Sequence, residues 1–253
     1  MDKKISKAKT IYVLPNLFTT GNLFCGFYAI IAAINGRFLY AAIAILIANF
    51  FDIADGKVAR ITNTTSKFGV EYDSLSDLIS FGVAPSILIY TWALIPYGKF
   101  GWVAAFLFTS CGALRLARFN VMVTVSEKSR FTGLPIPAAA SMVATTVLLM
   151  FKLGKIVIDK NIILLILVYC LSFLMVSNIK YLSFKEVQFI KQKPLKFVFF
   201  LILLLLVIVL ETELALFTLM AIYVASGPCE FLYKKIFKKK EIEVNSNGNS
   251  ENI

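Results

Sequence analysis

Apolar residues fill this chain in long unbroken runs, without the narrow stripes or strict alternation of a water-soluble fold. Eight runs stand out, at 20–36, 38–58, 76–97, 101–121, 135–152, 161–178, 196–212 and 214–233, separated by short polar or basic connections. Each approaches the ~20 residues that a helix needs to cross a bilayer. The pattern predicts an all-α integral membrane protein of about eight spans. Asn22 and Gly26 dilute the first run, and the Thr145–Thr146 pair dilutes the fifth.

Composition agrees: 58% of the 253 residues are hydrophobic and the mean hydropathy is +0.79, beyond the range of soluble domains. The net charge of +11 is distributed unevenly. Of the 26 basic residues, 21 fall on one side of the predicted topology: in the N-terminal segment 1–13, the second-to-third, fourth-to-fifth and sixth-to-seventh connections, and the segment after 233. The other side holds Arg37, Lys99, Lys152, Lys155 and Lys160, beside the acidic pair Glu211 and Glu213. The positive-inside rule then sets both termini in the cytoplasm of a cell whose plasma membrane carries the protein. Topology accounts for the basic charge without a nucleic-acid partner, and anionic headgroups add an attraction. The basic start lacks a small-residue cleavage signal, so it reads as mature protein. The polar tail after Lys240 reads as unstructured.

The chain contains no histidine. This excludes Ser-His-Asp and Cys-His nucleophilic chemistry and histidine-ligated zinc. The four cysteines lie scattered through apolar runs, with no C-x-x-C pair, and read as buried small hydrophobes.

Against that background "FFDIADGKVAR" (residues 50–60) is anomalous, because Asp52 and Asp55 close an apolar run. Carboxylates at such a place are costly unless something compensates them. Helical spacing puts Asp52, Asp55, Gly56 and Ala59 on one face. A polar connection leads to Asp73 and Asp77, four apart, which share a face at the start of the third span. The short link lets the two faces meet at one membrane depth. Converging carboxylates repel at low dielectric, and either protonation or divalent cations relieve that. Oxygen-only ligands suit Mg²⁺ or Mn²⁺, and such ions next to a phosphate clamp it and stabilise a leaving group. Gly56 and Ala59 leave room for a ligand against the helix, and Arg60 is placed to pair with a phosphate.

The series Asp52-x-x-Asp55-Gly56-x-x-Ala59-Arg60, eight residues, Gly69-x-x-x-Asp73-x-x-x-Asp77 resembles the full signature of the CDP-alcohol phosphatidyltransferases. "LPNLFTTGNLFCG", "RLARFN" and "GLPIPAAA" are similar to the phosphatidylserine synthase branch of that family, and the likeness covers roughly residues 10–180. The resemblance implies a six-helix core over 14–180; the rest of the pattern reads as a basic loop at 181–195, two accessory spans at 196–233 and a terminal segment at 234–253, on which the signature is silent. The resemblance also implies displacement of CMP from CDP-diacylglycerol by the hydroxyl of L-serine. Asp52, Asp55, Asp73 and Asp77 would hold two Mg²⁺ or Mn²⁺ ions, and Asp77 would also act as general base. Asp52, Gly56, Ala59, Arg60 and Gly69 would accommodate the nucleotide. The family also implies a homodimer.

A serine carboxylate calls for an arginine fork. Arg115 and Arg118 lie three apart at the cytoplasmic end of the fourth span, next to Asn120; Arg118 and Asn120 are the preferred pocket candidates, with positive-inside anchoring as the alternative. Asn16 reads as polar lining of the cavity, Asn22 as lining or an interhelical hydrogen bond, and "GLPIP" as a turn before the fifth span. A glycerol 3-phosphate or inositol acceptor would keep the same metal site. An Asp-rich prenyltransferase would space its motifs more widely. An ion transporter would set its acids near the midplane and has no use for the small residues.

Overall fold

The computed structural model describes residues 2–62, 66–123, 131–154, 160–181 and 211–248. The described chain is almost entirely helical. In order come α1 (Asp2–Ile34), α2 (Phe38–Ile61), α3 (Lys67–Tyr97), α4 (Lys99–Val123), β1 (Phe131–Thr132), α5 (Ile136–Lys152), α6 (Ile162–Val176), β2 (Lys180–Tyr181) and α7 (Thr212–Gly248). Among the described residues five helices are long and apolar enough to cross a membrane: Asn16–Ile34, Phe38–Ile61, Lys67–Tyr97, Lys99–Val121 and Thr212–Phe231. The apolar helices α5 and α6 are shorter, at 17 and 15 residues. Residues 196–210, the body of another expected span, lie outside the described residues, as do 182–195 of the basic loop.

Three element boundaries differ from the hydrophobic pattern. Helix α1 runs from Asp2, through the basic segment and "TTGN", because Thr and Asn weaken a helix by only fractions of a kcal/mol per residue. Thr20 even returns its hydroxyl to the Asn16 carbonyl at 2.7 Å. Helix α3 begins at Lys67, ahead of its apolar part. There Ser66 caps it, accepting from the Gly69 amide at 2.9 Å. Helix α7 continues to Gly248, past Lys240, where the polar composition predicts an unstructured tail. Helicity is a local backbone property and does not require an apolar sequence.

Small residues set the packing. Ala29, Ala32 and Ala33 of α1 and Ala41, Ala42, Ala44 and Ala48 of α2 are all buried, which lets the two backbones approach closely without large side chains between them. The α1–α3 crossing is tighter still, since a Cβ on Gly26 would stand 2.6 Å from the Ser80 Cα. Helix α5 forms the interior, with Ile136, Ala139, Ala140, Val143, Ala144 and Val147 fully shielded. The outer surface is apolar too, as lipid requires: Phe24, Phe50, Phe100, Phe106 and Phe173 are exposed. Cys170 and Cys229 belong to that surface, and Cys25 and Cys111 are half-buried. The expectation of four buried cysteines is corrected: a thiol is as compatible with hydrocarbon as with a protein core.

Two features shape the ends of this bundle. Helix α3 contains two π-helical segments, Leu78–Val83 and Tyr90–Leu94. Near the first, Thr109 of α4 donates to the Gly82 carbonyl at 3.3 Å. "GLPIP" is the tight turn expected. Gly133 has φ +83, and a side chain there would meet the Met175 carbonyl oxygen at 2.3 Å. Its amide donates to Ile179 at 2.8 Å and that of Leu134 to Leu174 at 3.0 Å, which pins the start of α5 to the end of α6. The β1–β2 bridge, Phe131 opposite Tyr181, lies alongside.

Candidate active site

The last turns of α2 and the first of α3 carry the four aspartates, and α1 lies against both helices. Asp52, Asp55 and Asp73 bring carboxylate oxygens within 4.8 Å of one another. Asp77 stands beside Asp52 and is not one of that trio. Asp55 and Asp77 are buried, at 5% and 8% exposure. Like charges at such distances in partly desolvated surroundings repel by an order of a few kcal/mol per pair. Among the described residues no lysine or arginine forms an ion pair with these carboxylates.

Helix α1 holds the cluster in place with two side chains. Thr19 donates its hydroxyl to Asp55 Oδ2 at 3.0 Å, and Asn22 donates Nδ2 to Asp77 Oδ1 at 3.0 Å. Two serines of α3 answer in the opposite direction. Ser76 donates to the Thr19 carbonyl at 3.0 Å and Ser80 to the Asn22 carbonyl at 2.9 Å. Three of these bonds make a ladder between α1 and α3, the fourth ties α1 to Asp55 of α2, and Asp77 sits directly before the π segment. Such segments occur often at functional sites. Sequence reading left Asn22 open between lining and hydrogen bonding and did not single out Thr19. Both belong to the short polar stretch "TTGN"; their spacing of three puts them on one helix face, but nothing in the sequence says what that face meets.

The site also fits a divalent cation on its own terms. Its donors are all hard carboxylate oxygens, and Asp73 Oδ1 is buried with no hydrogen-bond partner among the described residues. A buried acceptor left without a donor is costly, and a metal ion is the kind of group that would satisfy it.

The remaining expected residues fall into two sets. Gly56, Ala59 and Arg60 follow the aspartates along α2. Among the described residues a Cβ on Gly56 would have one neighbour only, the Arg60 Nη2 at 3.7 Å, which leaves that face open. Arg60 is exposed and donates Nε to the Gly56 carbonyl at 2.7 Å, which lays the guanidinium along the helix beside it. Gly69 is close to α1, where its Cβ would lie 3.6 Å from Asn16 Oδ1. Asn16 therefore borders the connection between α2 and α3. On α4 the pair Arg118 and Asn120 separates. Arg118 is exposed and donates to Asn178 Oδ1 at 2.8 Å, whereas Asn120 donates Nδ2 to Ser74 at 3.0 Å, one residue from Asp73. The buried arginine of this helix is Arg115, at 8% exposure.

The sequence has relatives. The family model for CDP-alcohol phosphatidyltransferase matches residues 12–168. The chain belongs to the CDP-alcohol phosphatidyltransferase family. Its similarity to proteins of that family extends over most of its length. It is 41% identical over 235 residues to the CDP-diacylglycerol–serine O-phosphatidyltransferase of Helicobacter pylori (strain ATCC 700392 / 26695), covering 91% of this chain and 97% of that protein. The protein of the same name from Bacillus subtilis (strain 168) is 39% identical over 174 residues, 68% of this chain and 92% of its own. An archaetidylserine synthase from Methanothermobacter thermautotrophicus is 38% identical over 182 residues, 71% of this chain and 72% of that protein. CDP-alcohol phosphatidyltransferases are metal-dependent transferases of phospholipid synthesis, in keeping with the carboxylate cluster. The matched segment of the family runs from α1 into α6 and stops before Tyr181 and α7.

Proposed function

We propose that this protein transfers the phosphatidyl group of CDP-diacylglycerol to the hydroxyl of L-serine, releasing CMP and forming phosphatidylserine. The observation that carries the reading is the convergence of Asp52, Asp55 and Asp73 with Asp77 held beside them by Asn22. The names of the curated relatives support serine as acceptor.

Asp52, Asp55 and Asp73, with Asp77, would hold two Mg²⁺ or Mn²⁺ ions. Bound there, the ions supply positive charge to the pyrophosphate and to the departing CMP. Asp77 accepts the proton of the serine hydroxyl, which is too weak a nucleophile unaided at neutral pH. The serine oxygen forms a bond to the phosphorus that bears diacylglycerol, and the phosphoanhydride bond breaks with its electron pair leaving on CMP. The open face of Gly56 and Ala59, with Arg60, receives the nucleotide, and Gly69 keeps the connection close. Asn16 lines the cavity. Arg118 and Asn120 lie toward the serine side.

The core over 14–180, completed by two accessory spans at 196–233, gives eight spans in this reading. Both termini and the aspartates face the cytoplasm, because the basic residues concentrate on that side. Anionic lipids then favour the basic loop, 181–195, and the basic part of the terminal segment, 234–253. The protein works as a homodimer. The test is an assay of purified protein with CDP-diacylglycerol, Mn²⁺ or Mg²⁺, and labelled serine, glycerol 3-phosphate or inositol in parallel. Phosphatidylserine with matching CMP is the expected product. CMP release without serine incorporation would sink the serine assignment.

A further inference from the structure

The polar side chains in the contact between α2 and α5 are not equivalent. Asn49 stands near the middle of the 24-residue helix α2, where an amide is costly unless its hydrogen bonds are met. It donates Nδ2 to Ser141 Oγ of α5 at 2.9 Å. Ser141 gives its own single proton to the Pro137 carbonyl at 2.7 Å, so toward Asn49 it can only accept. That fixes which end of the amide meets α5. Thr145 and Thr146, the next hydroxyls along α5, also return their protons to their own helix, to the Ser141 carbonyl at 2.8 Å and the Met142 carbonyl at 2.7 Å. Among the described residues the bond to Ser141 is the one side-chain hydrogen bond of Asn49. A second amide hydrogen and the Oδ1 acceptor are left over.

The place of this amide on α2 gives it a neighbour. Asn49, Asp52, Gly56 and Ala59 follow at offsets of three, four and three, a stripe confined to about 80° of the helix surface at about 100° per residue. All four are half-buried. Ala48 and Asp55 on one flank are buried, and Phe50, Ile53 and Lys57 on the other are exposed. Helix α5 packs against α2 and also against the first π segment of α3, where a Cβ on Gly82 would lie 3.7 Å from Ile136. Asn49 therefore continues the open face of Gly56 one turn beyond Asp52, ~4.5 Å along the axis, into the apolar part of the span.

We infer that Asn49 is a specificity-determining residue for the lipid substrate, its second amide hydrogen binding an ester carbonyl of the diacylglycerol one turn beyond the carboxylates. The inference rests on the proposed reaction, which brings the pyrophosphate to Asp52. From the phosphate a diacylglycerol continues into hydrocarbon, and the first polar groups it carries there are its esters, whose carbonyls accept and never donate. The leftover N–H is the matching donor. L-Serine has no apolar part to carry it past Asp52 in that direction.

The test compares two donors with the full-length protein in mixed micelles: CDP-diacylglycerol and its dialkyl ether analogue, which has the same chains and nucleotide but no carbonyls. The wild-type KM should be about fivefold lower for the ester, the size of one neutral hydrogen bond. Asn49→Leu keeps the bulk of the side chain and should raise the ester KM to the ether value, with the serine KM unmoved. Ser141→Ala removes only the acceptor that orients the amide and should reduce the ester preference at least twofold, which decides the matter should Asn49→Leu fail to fold. The inference fails if the wild type treats both donors alike. It fails if Asn49→Leu raises both donor KM values equally, which would put the contact on the phosphate they share, or if the serine KM alone rises. It fails too if melting in detergent falls while the ester preference stays, the mark of an interhelical bond and nothing more. Should the wild type release CMP to another acceptor and not to serine, the serine reading fails, and the same donor comparison with that acceptor still decides the role of Asn49.

Discussion

Asn22 of α1 donates its amide to the Asp77 carboxylate of α3 across 3.0 Å, while the Asn22 backbone carbonyl accepts from Ser80 at 2.9 Å. One residue thus fixes both the helix crossing and the direction of the carboxylate. Hydrogen bonds to charged groups contribute roughly 1.5–3 kcal/mol. Asn22→Ala should lower kcat by about 10- to 100-fold while CDP-diacylglycerol still binds. Retention of the wild-type kcat in stopped assays of CMP release would show that Asp77 needs no such support.

Asp77→Asn keeps the shape and the acceptor oxygen of that side chain and removes its basicity. Turnover should disappear while equilibrium binding of CDP-diacylglycerol remains measurable. A variant that turned over at the wild-type rate would remove Asp77 from the role of general base.

The orphaned Asp73 Oδ1 and the cluster around it make the activity dependent on a divalent ion. Chelation by EDTA should abolish phosphatidylserine formation, with Mg²⁺ or Mn²⁺ restoring it. Asp73→Asn should raise the metal concentration needed for half-maximal rate by at least about tenfold, the effect of roughly 1.4 kcal/mol of lost ion attraction. An unchanged metal titration would place the ion elsewhere.

Gly26 lies under Ser80 with no room for a Cβ. Gly26→Ala should separate α1 from α3, stretch the Thr19 and Asn22 bonds together, and cost about 1–3 kcal/mol as overpacking. Reduced thermal stability with a coupled loss of activity is the expected result. Unaltered melting and activity would mean that the crossing yields without disturbing the site.

Arg118 is exposed and paired with Asn178. If it serves the acceptor as proposed, Arg118→Ala should raise the serine KM several-fold more than the lipid KM. Equal changes in both would refute a serine-specific contact.

The aspartates were legible in the sequence because charge in an apolar run is costly and their offsets obey the helical period. Three of them meet as that period requires. The second layer was not legible. Thr19 and Asn22 look like tolerable polar positions, and only the approach of α1 turns them toward Asp55 and Asp77. Arg115 and Arg118 present the same difficulty from the other side. The positive-inside rule treats both alike, although one faces the bundle and the other leaves it. Helix existence followed from hydropathy, whereas the ends of α1, α3 and α7 did not. Caps and backbone propensity decide those ends, and hydropathy does not register them. The anchoring of α7 depends on the adjacent Gly227 and Pro228 and on Tyr181, which packs on Gly227 and donates to the Val224 carbonyl from more than 40 residues earlier in the chain, a relation that no local pattern contains.

The first π segment of α3, Leu78–Val83, has a consequence for how this protein tolerates insertion and deletion. A π turn accommodates one residue more than an α turn, and one residue corresponds to about 100° of rotation. Because the wide turn already absorbs the extra residue, deleting a single residue between Leu78 and Val83 would let the helix relax to ordinary α geometry with both halves in place, the apolar half with Leu88 and Ile89 buried and the half that carries the aspartates. Straightening the turn with its residue count unchanged would instead swing Asp73 and Asp77 away from Asp52 and Asp55, although every side chain of the site was still present. The wide turn and the number of residues in it therefore set the register of the site together, a requirement as specific as the carboxylates themselves.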